Sequence, residues 1–179
     1  MSGAVTLRPA RTRDAAAIAR IQVETWRSAY PGVVPDAYLV GMTEAKHAAQ
    51  WESCLARRGG VETVLVAEAA GRRLVGFGSC GRARGGPYAG EVYTLYVAGD
   101  WQGRGIGRRL LGRLFSVLHE AGANGALVWV LSANPARFFY EAMGGRCVAE
   151  RKESFAGTLL EETAYGWPDL AAWLAERNA

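Results

Sequence analysis

Apolar and polar positions follow two rhythms along this chain, and each change of rhythm marks a change of element. A period of two over Val5-Thr6-Leu7-Arg8, closed by Pro9, predicts a short first strand. From Asp14, read as a helix cap, Ile18, Ile21 and Thr25 recur at helical spacing with Arg20 and Glu24 on the wet side. That helix runs toward Trp26. Tyr30-Pro31-Gly32 and Pro35-Asp36 then force a loop. Thr43 opens a second helix over 44–58, ended by Gly59-Gly60. Residues 61–69 and 74–80 read as a hairpin turned by Gly71-Arg72, followed by a basic, solvated loop, Arg82-Ala83-Arg84-Gly85-Gly86-Pro87. A strand over 91–97 comes next, then an amphipathic helix ending near Gly122, and a buried strand over 126–131. Asn134-Pro135 starts a short helix that stops at Gly144-Gly145. Residues 146–154 and 159–165 alternate as a closing hairpin, and Pro168-Asp169 begins a terminal helix with Leu170, Trp173 and Leu174. Without repeats, linkers or low-complexity stretches, residues 1–179 read as one domain: a mixed α/β sheet with helices on both faces.

Composition narrows the function. Half of the residues are hydrophobic and 21% are charged, which is globular composition. The net charge of +4, from 21 basic and 17 acidic side chains, lacks the dense basic stripe of a nucleic-acid binder and suits one polyanionic cofactor. Cys54, Cys80 and Cys147 are odd in number and widely spaced, so neither a metal site nor a disulfide framework is expected. No apolar run reaches membrane-spanning length, and Met1-Ser2-Gly3-Ala4-Val5 lacks a basic-then-apolar signal. A cytoplasmic protein without a membrane partner is expected. His47 and Cys54 lie seven apart on one helical face, but no third residue orients them as a base and nucleophile. His119, near the end of its helix, is accounted for by the helix dipole.

One segment carries chemistry. The strand Glu91-Val92-Tyr93-Thr94-Leu95-Tyr96-Val97 leads through Ala98-Gly99-Asp100-Trp101 into Gln102-Gly103-Arg104-Gly105-Ile106-Gly107, and then into a helix opening Arg108-Arg109. Strand, glycine turn and helix in this order form an anion cradle. Glycines let the backbone approach, and the first free N–H groups of the helix point at the ligand. With 23 glycines in 179 residues, a glycine cluster alone decides little. The flanking elements, with Arg104, Arg108 and Arg109, make it an anion site. The spacing Gly103-x-Gly105-x-Gly107 is not the dinucleotide fingerprint G-x-G-x-x-G. Where a ribose-binding acid would stand about twenty positions on, the chain reads Ala123-Asn124-Gly125. No Gly-Lys-Ser/Thr follows, which excludes a P-loop.

Gln102, Gly105 and Gly107 resemble the Q/R-x-x-G-x-G/A acyl-CoA signature of the GNAT acetyltransferase superfamily. Asn134 and Phe138-Phe139-Tyr140-Glu141, with Met143-Gly144-Gly145, resemble its second motif, although Arg137 replaces a common alanine and Gly145 a usual aromatic. Trp26, Arg27, Tyr30, Gly32, Pro35 and Asp36 resemble the opening of one subset, in which this region lines the acceptor pocket. The resemblance implies the GNAT fold: a mixed, mostly antiparallel sheet splayed between its fourth and fifth strands, with the cofactor's pantetheine arm in the gap. It implies transfer of an acetyl group from acetyl-CoA to a primary amine by direct attack. The amine acceptor is a small molecule, or a protein or peptide. A non-catalytic acyl-CoA-binding regulator on the same scaffold is the alternative, and a homodimer is plausible.

The roles implied are as follows. Leu95, Tyr96, Val97, the run Gln102-Gly103-Arg104-Gly105-Ile106-Gly107-Arg108, Asn134 and Arg137 hold the cofactor, with a backbone N–H near Val97 facing the developing oxyanion. Trp26, Tyr30 and Tyr93 bind the acceptor. Glu91 is the general base, acting directly or through a water, and Tyr140 is the acid that protonates the departing thiolate. Strict alternation puts Glu91, Tyr93, Leu95 and Val97 on one face.

Overall fold

The computed structural model describes residues 4–57 and 62–178. The predicted helix end at Arg58, with Gly59-Gly60 and the strand start at Val61, lies outside the described residues. Seven strands form one sheet: β1 (Thr6–Pro9), β2 (Glu62–Glu68), β3 (Leu74–Arg82), β4 (Gly90–Val97), β5 (Ala126–Leu131), β6 (Arg146–Phe155) and β7 (Thr158–Trp167). Their spatial order is β1-β2-β3-β4-β5-β7-β6. Every neighbouring pair is antiparallel except β4 and β5. The helices are α1 (Ala15–Ala29), α2 (Asp36–Gly41), α3 (Glu44–Ala56), α4 (Ile106–Glu120), α5 (Ala136–Ala142) and α6 (Leu170–Asn178).

Alternation on β2 shows how both faces of the sheet are used. Leu65 and Ala67 pack with Leu110, Leu111, Leu114 and Phe115 of α4 and Trp173 of α6. Val64 and Val66 pack with Ile18 and Ile21 of α1 and Trp51 of α3. Helices therefore cover both faces. Burying strands on both sides removes enough apolar area to anchor the sheet rigidly, at roughly 25 cal/mol per Å².

The sheet is splayed where the resemblance implied. Pairing of β4 with β5 ends after Gly90–Ala126, Glu91–Leu127 and Val92–Val128, while both strands continue. Beyond that point their facing backbone groups have no strand partner.

Four local expectations change. Pro9 lies inside β1, opposite Leu65, because an edge strand tolerates a residue without an N–H. Asp14 does not cap α1. It accepts from the Arg11 N–H at 2.7 Å, closing a 3-10 turn at Thr12–Asp14, and pairs with Arg8 at 2.7 Å. The Arg8 guanidinium holds the Asp14 carboxyl below its usual range. The loop after Tyr30 contains α2, opened by Pro35 at a position where proline's missing N–H costs nothing.

The fourth change concerns β4. Cys80 pairs with Val92 and Ser79 with Thr94, so Tyr93 is an extra residue in a β-bulge. A bulge shifts the alternation by one. Val92 consequently shares the α4 face with Leu95 and Val97, while Glu91 falls on the opposite face. The predicted common face of Glu91, Tyr93, Leu95 and Val97 does not form.

The departure at Gly145 has a packing reason. A Cβ there would sit 2.7 Å from the Trp167 indole and 2.9 Å from the Tyr140 carbonyl. Trp167 fills the space instead. The Met143 carbonyl at the end of α5 accepts from Trp167 Nε1 at 3.0 Å and Trp173 Nε1 at 2.7 Å. Those donors satisfy a helix-end carbonyl and fix α5, which carries Tyr140.

Candidate active site

The parting of β4 and β5 opens a cleft of about 1100 Å³. Its floor is β4. Ala98 N–H donates to the Val75 carbonyl at 2.9 Å, so backbone groups of even-numbered residues here face β3. Alternation turns those of Leu95 and Val97 toward the gap. Gln102 Nε2 donates to the Val97 carbonyl at 3.0 Å, so this motif residue ties the glycine turn to the strand end.

At one end lies the glycine turn. Gly103 and Gly105 have φ of 71° and 75°, a region that side chains with a Cβ resist. A Cβ at either would meet nothing within 4 Å, so the space in front of the turn is open. Arg109 N–H is the first of α4 to find an intrahelical partner, the Gly105 carbonyl at 3.1 Å. The N–H groups of Ile106, Gly107 and Arg108 have no intrahelical acceptor, which is the geometry of an anion cradle. Gly103, Gly105, Ile106, Gly107 and Arg108 line the cleft. Arg104 does not; it stacks on Trp101 at 4.8 Å.

The middle is walled by phenols. Tyr140 is 6% exposed and lines the cleft, and its hydroxyl has no hydrogen-bond partner among the described residues. Burial pushes the Tyr140 phenol upward, so it holds its proton. Asn134 Oδ1 accepts from the Ala136 N–H at 2.9 Å, and its Nδ2 donates to the Tyr30 hydroxyl at 2.8 Å. Burial raises Tyr30, and the Asn134 donor partly offsets that. Tyr96 accepts from Trp26 Nε1 at 3.0 Å and is pushed up by burial. Arg137 stacks on Phe138 at 4.5 Å and is not part of the lining.

On the face away from α4 lie Trp26, Tyr30 and Tyr93, joined by Phe155, Leu160 and Trp129. Glu91 is absent from this lining. It is 1% exposed, and Arg84 covers it. Glu91 Oε1 accepts from Arg84 Nε at 3.1 Å and Nη2 at 2.5 Å, and Oε2 accepts from the Arg84 backbone N–H at 2.8 Å. Arg84 lines the cleft, and its guanidinium lies 4.5 Å over the Tyr93 ring. Tyr93 donates its hydroxyl to the Arg82 carbonyl at 2.6 Å. The loop read as a solvated connection thus supplies a cleft residue. Its only sequence signal was a basic, glycine-rich composition. His47 and Cys54 lie outside the cleft. His47 Nδ1 is 2.9 Å from the Thr43 carbonyl, and the Cys54 thiol donates to Glu62 at 3.6 Å. Among the described residues, no group of three His, Cys, Asp or Glu side chains is placed to hold a metal ion. No helix among them is long and apolar enough to cross a membrane.

A sheet parted at one parallel pair, with an anion cradle at the mouth and a buried phenol midway, defines an acyltransferase cleft. The chain belongs to the GNAT acetyltransferase superfamily and is an acyltransferase. Residues 60–144 match the family model described as "Acetyltransferase (GNAT) domain". An uncharacterized N-acetyltransferase of Bacillus subtilis, YuaI, is 34% identical over 170 residues, covering 94% of this chain and 95% of the relative. The PaiA N-acetyltransferase of Thermoplasma acidophilum, solved with coenzyme A, superposes with a TM-score of 0.69 at 18% identity, over 89% of this chain and 98% of that one. A phosphinothricin acetyltransferase of Sinorhizobium meliloti, solved with acetyl-CoA, gives 0.66 at 20% identity, over 92% and 88%. These structural likenesses are likenesses of fold.

Proposed function

We propose that this enzyme transfers an acetyl group from acetyl-CoA to a primary amine by direct attack, with both substrates bound together. The observation that carries this reading is one continuous cleft joining the glycine turn, the unpaired edge of β4 and the aromatic end around Trp26. Acetyl-CoA is the cosubstrate. Its pyrophosphate fits the N–H groups at the start of α4, which offer charge-assisted hydrogen bonds, and Arg108 adds a cation. Its pantetheine amides pair with the gap-facing backbone of Leu95 and Val97, as a further strand would.

The amine attacks the acetyl carbonyl carbon. A C–N bond forms, the carbonyl oxygen gains charge, and a backbone N–H near Val97 faces it. The C–S bond then breaks, and the sulfur takes a proton from the Tyr140 hydroxyl. The amine must lose a proton, since an ammonium has no lone pair. The expected base, Glu91, reaches the cleft only if Arg84 releases an oxygen. With Arg84 in place, the proton leaves through cleft water, and Glu91 acts by holding Arg84.

Free thiol measured after mixing the protein with acetyl-CoA and a panel of amines tests the reading. Amine-dependent thiol release supports it. Acetyl-CoA binding without such release would leave a non-catalytic binder.

A further inference from the structure

Tyr93 and Trp129 follow the last β4–β5 pair, Val92–Val128, one on each strand, at the point where the strands begin to part. Each ring carries a guanidinium. Arg84 lies 4.5 Å over Tyr93, and Arg151 lies 4.1 Å over Trp129. Each guanidinium is also paired with carboxylate. Arg84 gives Nε and Nη2 to Glu91. Arg151 gives Nε to Glu162 at 2.6 Å and has Glu153 at 3.7 Å from the same nitrogen, and both of these carboxylates line the cleft. A guanidinium has five N–H donors in a rigid fork. Among the described residues, Nη1 of Arg84 and both Nη groups of Arg151 make no further side-chain hydrogen bond. Both residues line the cleft. The structure therefore sets two arginines on opposite sides of the parting, each held by a ring and a carboxylate, with outer donors left over.

We propose that these two arginines bind a carboxylate of the acceptor, which makes the preferred acceptor an amino acid rather than a neutral amine or a polyamine. This inference rests on the acetyltransferase reading. The carboxylate matches the fork of Arg84 in a two-point contact. Stacking and the paired carboxylates fix both guanidiniums before the acceptor arrives, so little side-chain freedom is lost on binding. Phe155, Leu160 and Trp129 leave an apolar wall for the side chain.

The test measures thiol release with three sets of acceptors: free amino acids, the same amino acids as carboxamides, and diamines or polyamines. Free acids should exceed their carboxamides by about tenfold or more in kcat/KM. Arg151→Gln, at an exposed ion pair, should raise the KM for the acids about tenfold and shrink the preference, with acetyl-CoA affinity retained. Arg84→Gln should do the same. If that variant does not fold, the wild-type panel and Arg151→Gln still decide. Equal or better turnover of carboxamides or polyamines, or an undiminished preference in Arg151→Gln, overturns the acceptor class while leaving the acetyltransferase reading intact. Thiol release by no amine at all overturns both.

Discussion

The Asn134 side chain donates to the Tyr30 hydroxyl at 2.8 Å, across 104 residues of sequence. One residue of the second motif thereby fixes a tyrosine at the end of α1, and both line the cleft. The same side chain accepts the Ala136 N–H at the start of α5.

Asn134→Ala removes both bonds and leaves the Tyr30 hydroxyl without its donor. We expect a loss of about 1–3 kcal/mol in urea denaturation, the usual cost of stranding a buried polar partner. Combined with Tyr30→Phe in a double-mutant cycle, the two changes should show coupling of about 0.5 kcal/mol or more. Strict additivity would count against the contact.

Tyr140→Phe keeps the ring that packs against Phe139 and removes the proton. Turnover should fall about 10²-fold with acetyl-CoA affinity nearly unchanged, measured by steady-state kinetics and calorimetry. Loss of affinity with preserved turnover would make Tyr140 a packing residue.

Buried tyrosines also predict the alkaline behaviour. Tyr30, Tyr96 and Tyr140 are all raised by burial, so the folded state binds their protons more tightly than the unfolded state. Their contribution to stability is intact below the unfolded value of about 10 and declines as pH rises beyond it. The urea midpoint should hold from pH 7 to 9 and drop above about pH 10. Tyr96→Phe should make that drop shallower. An equal slope in the variant would remove Tyr96 from the explanation.

Gly105→Ala forces a Cβ onto a backbone at φ 75°. The strain is about 1 kcal/mol, relieved by moving the turn and its N–H groups. Acetyl-CoA affinity should fall about tenfold or more. Gly112→Ala is the control. Its Cβ would lie 3.6 Å from Trp173, an ordinary contact, so affinity should stay and stability should rise by up to about 1 kcal/mol. Equal affinities in wild type and Gly105→Ala would dissociate the turn from the pyrophosphate.

Glu91→Gln separates two roles for this carboxylate. If it holds Arg84, the variant keeps the acidic limb of the pH–turnover profile and shows a raised acceptor KM. Disappearance of that limb would instead make Glu91 the base, with Arg84 moving aside during turnover.

The sequence by itself determined the elements and the glycine-turn end of the cleft, because both depend on short-range chemistry. The strand, glycine turn and helix from Glu91 through Arg113 are contiguous, so their order dictates a helix N-terminus with free N–H groups in front of residues that accept positive φ. Asn134 and Tyr140 were legible through the second motif, which is contiguous, with Asn134 just before α5 and Tyr140 within it. The aromatic end was decided by tertiary structure. Alternation along β4 could not reveal that Tyr93 is a bulge, since a bulge is set by the mismatch with β3 and not by β4 alone. That one residue turned Glu91 away from Leu95 and Val97. Nothing local joined Arg84 to Glu91 and Tyr93, or Arg151 to Trp129 and Glu162. Those pairs form only when a loop, the parting strands β4 and β5 and the closing hairpin are brought to one face of the sheet.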